Sequence, residues 1–219
     1  MARKNILYIM CDQLRFDYLG CTGHPTIKTP NIDALAKRGV TFSNTYCQSP
    51  VCGPSRMSAY TGRYVSSHGA TSNFTPLRIG EKNVGHHLNP LGVKTVLVGK
   101  THVVPDREGL ARLGIDPDGD VARHHAQGGF EPYERDDGIH PDSMVKPTMA
   151  YNEYLKSEGY TEDDNPWHWA ANSVEKEDGE VRSGFFNDRV DRPARVTDEQ
   201  SETPYMTRRA MEFLDEDDG

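Results

Sequence analysis

The stretch "NILYIMCDQ", residues 5–13, is a continuous apolar run that stops abruptly at an acid and an amide. A strand with one wet face alternates polar and apolar residues. An unbroken run instead predicts a strand buried on both faces, as in a parallel sheet. Parallel strands need crossover connections, and the next ninety residues supply helical ones. "TPNIDALAKRGV" offers Thr29 as N-cap, Pro30 at the first helical position, Ile32, Leu35 and Ala36 on one face, and Gly39 as the stop. "VTFSNTYC" reads as a second extended segment, and a helix from about Pro54 to Tyr60 ends at Thr61-Gly62. "NVGHHLNPLG" is a short helical segment interrupted at Pro90, and "KTVLVGKTH" is a third strand. This alternation predicts an α/β fold with a mostly parallel central sheet flanked by helices. Ligands in such sheets bind beyond the carboxyl ends of the strands, where Asp12, Gln13, Lys100 and His102 fall.

Residues 104–200 are rich in Asp, Glu, Gly and Pro and show little periodicity, as in "YERDDGIHPD" and "SEGYTEDDNPW". They read as a polar, substrate-side excursion from the sheet core of residues 1–103, with short helices near "AYNEYLKSEG". A clear helix returns over 201–215, at "ETPYMTRRAMEFLDE", with Tyr205, Met206, Ala210, Phe213 and Leu214 partly apolar-facing. A formal net charge of −8 over 219 residues argues against nucleic acid or an anionic membrane as a general partner. It still permits a small anionic substrate wherever cations gather locally. No apolar stretch approaches the roughly 20 residues of a membrane span. No secretory leader pattern precedes the first strand, so the expected compartment is the cytoplasm. Four cysteines (Cys11, Cys21, Cys47, Cys52) are too few for a disulfide scaffold and are expected to be reduced.

Three places carry chemistry-bearing residues. In "PVCGPSRMSAYTGR", Cys52 stands at the mouth of a helix, where a positive dipole end favours thiolates and anions. Arg56 lies four residues on, on the same face, with a planar fork suited to an anion's oxygens. On spacing alone the pair reads first as a turn cysteine with an arginine in a surface ion pair. Asp12-Gln13 offers two oxygen donors suited to a hard divalent cation, or a simple capping pair. Lys100 and His102, two apart on a strand, point to one face. They suit an anion and a leaving group, or a solvent-facing strand end. His86-His87 and His124-His125 are adjacent pairs whose members cannot share one face, and without CxxC or HExxH companions they do not predict zinc. Trp167-His168-Trp169 reads as a small local apolar cluster.

"CGPSRMSAYTGR" resembles the sulfatase signature, Cys-x-Pro-Ser-Arg followed by a short spacer and Thr-Gly-Arg. The resemblance extends to the strand ending in Asp12-Gln13, the "TPNIDALAKRGVTFSNTYCQSPVCGPSR" block and "LVGKTH", in that order, and more faintly to "TRRAMEFL". It points to the sulfatase branch of the alkaline phosphatase-like superfamily. The Asp-Gln pair is most similar to choline sulfatases and phosphonate monoester hydrolases. The resemblance implies that Cys52 is oxidised to formylglycine by a formylglycine-generating enzyme. One hydroxyl of its hydrate attacks the sulfur or phosphorus, and the other expels the bound anion. It further implies that Asp12, Gln13 and the matured Cys52 are metal ligands for calcium or manganese. Arg56 steadies that site, Lys100 contacts the anion, and His102 sits by the hydrate or leaving group. Family members are much longer, and their remaining metal ligands come from a later segment. The chain is therefore expected to be the N-terminal portion of a catalytic domain, its last helix leading to a strand not included. "GKTH" favours a sulfatase over a phosphonate monoester or phosphodiester hydrolase. A non-catalytic anion-binding remnant is the third reading, and the resemblance leaves room for a homo-oligomer.

Overall fold

A computed structural model describes residues 5–137, 149–162, 164–184 and 192–216; parts of the polar stretch, residues 138–148, 163 and 185–191, lie outside the described residues. In chain order come helices α1 (Pro30–Arg38), α2 (Cys52–Thr61), α3 (Val65–His68) and α4 (Val84–Leu88), then strand β1 (Val96–Gly99). Helices α5 (Arg107–Arg112) and α6 (Asp120–Ala126) lead to strand β2 (Glu131–Arg135). Helix α7 (Ala150–Ser157), a hairpin of β3 (Ser173–Glu175) and β4 (Val181–Ser183), and α8 (Glu202–Glu216) complete it.

β1 and β2 pair in parallel, with α5 and α6 forming the crossover between them. Val96-Leu97-Val98 supplies the β-branched and apolar residues of β1, of which Leu97 is buried. The ladder slips between Leu97 and Val98, where Pro132 stands opposite Leu97 and has no N–H to give. It then continues to Gly99 opposite Arg135, with the Asp136 N–H donating to Gly99 O at 3.1 Å. The stretch expected as a polar excursion thus also contributes a strand to the sheet.

Two apolar clusters organise the interior. Met57, Tyr60, Ala70, Leu77 and Val103, with Phe130 against them, fix α2 beneath the sheet's carboxyl end. Tyr151, Leu155, Trp167, Ala170, Val196 and Tyr205 join α7, the tryptophan turn and the start of α8. The far end of α8 docks on β2: Phe213 packs on Tyr133 with ring centroids 5.4 Å apart, and Arg209 Nε meets Glu134 Oε2 at 2.6 Å. Helix α4 approaches the turn after α6 so closely that a Cβ on Gly85 would lie 1.9 Å from Gly129 O, so only glycine fits there.

Several expectations need correction. Residues 5–11 form no strand, and Ile6, Leu7, Tyr8 and Ile9 are exposed. A buried parallel strand needs a neighbour on each side, and among the described residues no ladder reaches this run. "VTFSNTYC" is likewise not a strand, with Val40, Phe42 and Tyr46 exposed. Helix α1 has the predicted bounds, but Ile32 and Leu35 on its apolar face meet no core. Thr29 occupies the N-cap position of α1 as expected, but its hydroxyl makes no capping bond to the helix backbone; it accepts from Gly20 N–H and donates to Asp33. Cys11, placed by the sequence in an apolar strand, is exposed. Among the described residues, no helix is long and apolar enough to cross a membrane.

Two histidines give the fold a pH dependence. His68 is fully buried; its Nδ1 accepts from Ala70 N–H at 3.1 Å, so its Nε2 donates to Ser58 Oγ at 2.8 Å. His86 accepts weakly from Asn83 N–H in the capping box of α4, with the His124 ring 5.7 Å away. Burial lowers the pKa of both, and neighbouring His124 lowers that of His86 further. An unfolded histidine titrates near 6.5, so below that pH the unfolded chain binds more protons. Stability is therefore full above about pH 6.5 and falls on acidification toward the folded values. His86→Gln keeps a capping side chain and cannot titrate. Thermal melts between pH 7.5 and 5 should show a shallower loss in that variant, whereas equal slopes would exclude His86 as a contributor.

Candidate active site

Helix α2 begins at Cys52 itself, two residues earlier than the sequence suggests, after Val51 in extended conformation. The Gly53 N–H donates to Asn73 Oδ1 at 2.8 Å. Asn73 comes so near that a Cβ on Gly53 would lie 3.2 Å from its Cα. Pro54, in the same first turn, has no N–H to satisfy. Cys52 is partly buried, while Cys11, Cys21 and Cys47 are exposed. The helix face carrying Pro54, Arg56, Met57, Ser58 and Tyr60 is turned inward.

Burying a guanidinium requires partners for its donors. Arg56, 5% exposed, has them: Nη2 reaches Asp12 Oδ1 at 3.1 Å, and Nη1 donates to Lys100 O at 2.6 Å. Lys100 Nζ meets the other Asp12 oxygen at 3.0 Å. Tyr60 hydroxyl also donates to Lys100 O, at 3.3 Å. Residues 12, 56 and 100 are thus brought to one point, two cations against one carboxylate in a chain that is acidic overall. Partial burial works to raise the Asp12 pKa, but the bonds and charges of Lys100 and then Arg56 outweigh it and hold the carboxyl below its ordinary value.

β1 ends at Gly99, so Lys100 and His102 do not lie on a strand face as the sequence suggested. They flank buried Thr101 in a turn whose third residue, His102, has φ 50°. Gln13, directly after Asp12, has φ 56°. These are the two non-glycine residues with left-handed backbone among the described residues, and both belong to the expected site. Such conformations persist only where surrounding structure enforces them. The His102 Nδ1 is buried with no hydrogen-bond partner among the described residues. Burial, and then the Lys100 charge, lower the His102 pKa against the pull of Asp137.

Among the described residues no three His, Cys, Asp or Glu side chains converge on a metal position. Asp12 and Gln13 offer oxygen, so in kind they suit a hard divalent cation.

Residues 4–163 match the sequence profile of the family described as Sulfatase. The chain belongs to the sulfatase family. It is 42% identical over 101 residues to an ulvan-active sulfatase of Formosa agariphila, covering 46% of this chain and 20% of that protein. It is 32% identical over its whole length to the multifunctional alkaline phosphatase superfamily protein PehA of Trinickia caryophylli, covering 40% of that protein. The fold matches a phosphonate monoester hydrolase structure from Silicibacter pomeroyi with a TM-score of 0.68 and 26% identity, over 96% of this chain and 38% of that one. The architecture is therefore alkaline phosphatase-like, and this sulfatase chain spans between a fifth and two fifths of these relatives' lengths. Three residues of the candidate site escaped sequence reasoning. Tyr60 gave no signal beyond its place in the helix, and Asn73 lies in an unremarkable loop. Asp137 was legible only as the second acid of "RDDG".

Proposed function

We propose that the chain is the nucleophile-bearing part of a hydrolase of sulfate esters, with Cys52 matured to formylglycine. The observation that carries this reading is the Arg56 fork, which ties Asp12 and the Lys100 carbonyl together one turn inside the helix that Cys52 opens. The hydrated aldehyde would supply a hydroxyl nucleophile that a thiol at this position lacks. Asp12, Gln13 and the matured residue 52 would hold a calcium or manganese ion, which supplies Lewis-acid polarisation of the ester's oxygens. Lys100 and Arg56 hold Asp12 ionised, and the Arg56 fork fixes it in place. Lys100 offers its ammonium to the anion as charge develops. His102, whose pKa burial and then the Lys100 charge lower, would serve proton transfer beside the leaving alcohol. Maturation requires a formylglycine-generating enzyme, and the cytoplasm is the proposed compartment.

A phosphonate monoester or phosphodiester hydrolase is the second reading, favoured by the likeness to the Silicibacter pomeroyi structure. Three oxygens are few for cations that take six or more, so this chain alone should hold metal weakly. The test compares nitrophenyl sulfate with a phenyl phosphonate monoester, using the longest natural product containing this chain. Sulfate-ester turnover should predominate, vanish on chelation and return with calcium or manganese. Turnover of neither ester by matured, metal-supplied protein would rule out both enzymatic readings and leave an anion-binding remnant.

A further inference from the structure

We infer that Asp137 is a positioning residue, whose carboxylate locks the Lys100–His102 turn in the conformation that presents both side chains to the site. This rests on the reading of Lys100 and His102 as site residues. The parallel register carries the argument. Gly99 stands opposite Arg135, and the Asp136 N–H bonds back to Gly99 O, so the chain after β2 runs alongside the turn after β1. Asp137 thereby comes level with the turn. Its Oδ1 accepts from the Thr101 N–H at 2.7 Å and from the His102 N–H at 3.3 Å. Its Oδ2 accepts from Arg135 Nη2, and both residues of that pair are buried.

Two successive amides converging on one oxygen specify the backbone at residues 101 and 102, including the left-handed φ of His102. A histidine leaves that region readily unless something holds it there. The other attachments of the turn do not touch the His102 amide. Arg56 and Tyr60 hold the Lys100 carbonyl, and the Thr101 hydroxyl donates to Ala126 O at 3.0 Å. A carboxylate suits the task better than an amide. It accepts both N–H groups without offering a donor of its own, and its charge shortens those bonds and pairs with buried Arg135.

The test uses Asp137→Asn, an isosteric change, with His102→Gly and the double variant. In this chain, amide exchange at Thr101 and His102 should accelerate by about tenfold or more in Asp137→Asn, with β1 and α2 amides unchanged. Glycine carries no penalty at φ 50°, so His102→Gly should recover part of the melting temperature lost in Asp137→Asn, a non-additivity that a general loss of packing would not produce. In the longest natural product, Asp137→Asn should lower kcat by about 10²-fold with KM moved far less, the mark of misplaced groups. Unchanged exchange at residues 101 and 102, acceleration spread evenly over the chain, or strictly additive melting shifts would each overturn the inference. Local acceleration in a protein whose wild type turns over neither ester would overturn the sulfatase reading and leave the locking role standing.

Discussion

Cys52→Ala is expected to reduce sulfate-ester turnover by about 10⁴-fold or more, as when a catalytic nucleophile is removed, while moving the melting temperature by no more than a few degrees. The disparity follows from what holds the start of α2. Val51 leads into it, Asn73 takes the Gly53 amide, and Met57 and Tyr60 anchor its inner face. Cys52 is partly buried and contributes little to that packing, and alanine suits a helix. The modification itself can be read in this chain. Coexpressed with a formylglycine-generating enzyme, it should carry a hydrazide-reactive aldehyde at position 52 and at none of Cys11, Cys21 or Cys47. Accessibility does not make that distinction, since those three are the more exposed; the Pro-Ser-Arg context does. Full activity in Cys52→Ala, or an unmodified thiol in fully active protein, would exclude the formylglycine mechanism.

Arg56→Ala should damage both stability and activity. The buried guanidinium satisfies Asp12 and the Lys100 carbonyl at once, and alanine leaves a cavity with neither contact replaced. Losing hydrogen bonds to a charged group of this kind costs about 2–4 kcal/mol. For a chain of this length that lowers the melting temperature by roughly 5–15 °C. Turnover should fall by about 10²–10³-fold, because Asp12 and the turn at Lys100 lose their common anchor. Arg56→Lys keeps the charge but not the two-pronged geometry, so it should recover only part of either loss. Urea unfolding beside steady-state kinetics separates the two effects. An Arg56→Ala protein as stable as wild type would mean that the fork is ornamental.

What the sequence made legible was local. Pro30 and Gly39 bracket α1, Gly62 ends α2, and the bounds of α8 match its amphipathic stretch, because caps and breakers act within a turn or two. The strand forecasts at residues 5–11 and 40–47 failed for the opposite reason: apolar character states a need for neighbours without providing them. β2 was missed because "EPYER" carries a proline and buries two charged residues. Glu134 is tolerated through Arg209 and Arg135 through Asp137, partners the local pattern does not announce. The site divides in the same way. Cys52, Arg56, Asp12, Lys100 and His102 were named by motif, and the structure brings residues 12, 56 and 100 into contact. Asn73 and Asp137 act on amides 20 and 36 residues away, across separations no short motif encodes.

The uncovered run at Ile6, Leu7, Tyr8 and Ile9 has a colloidal consequence. It combines high strand propensity with no charge, proline or glycine over a window long enough to seed cross-β stacking. Arg3 and Lys4 stand just upstream of it in the sequence, and downstream Asp12 is held between Arg56 and Lys100, two cations against one carboxylate. Both flanks of the stickiest segment thus carry positive charge in a chain of net negative charge, so two copies stacking in parallel register would bring like charges together, a repulsion that salt screens.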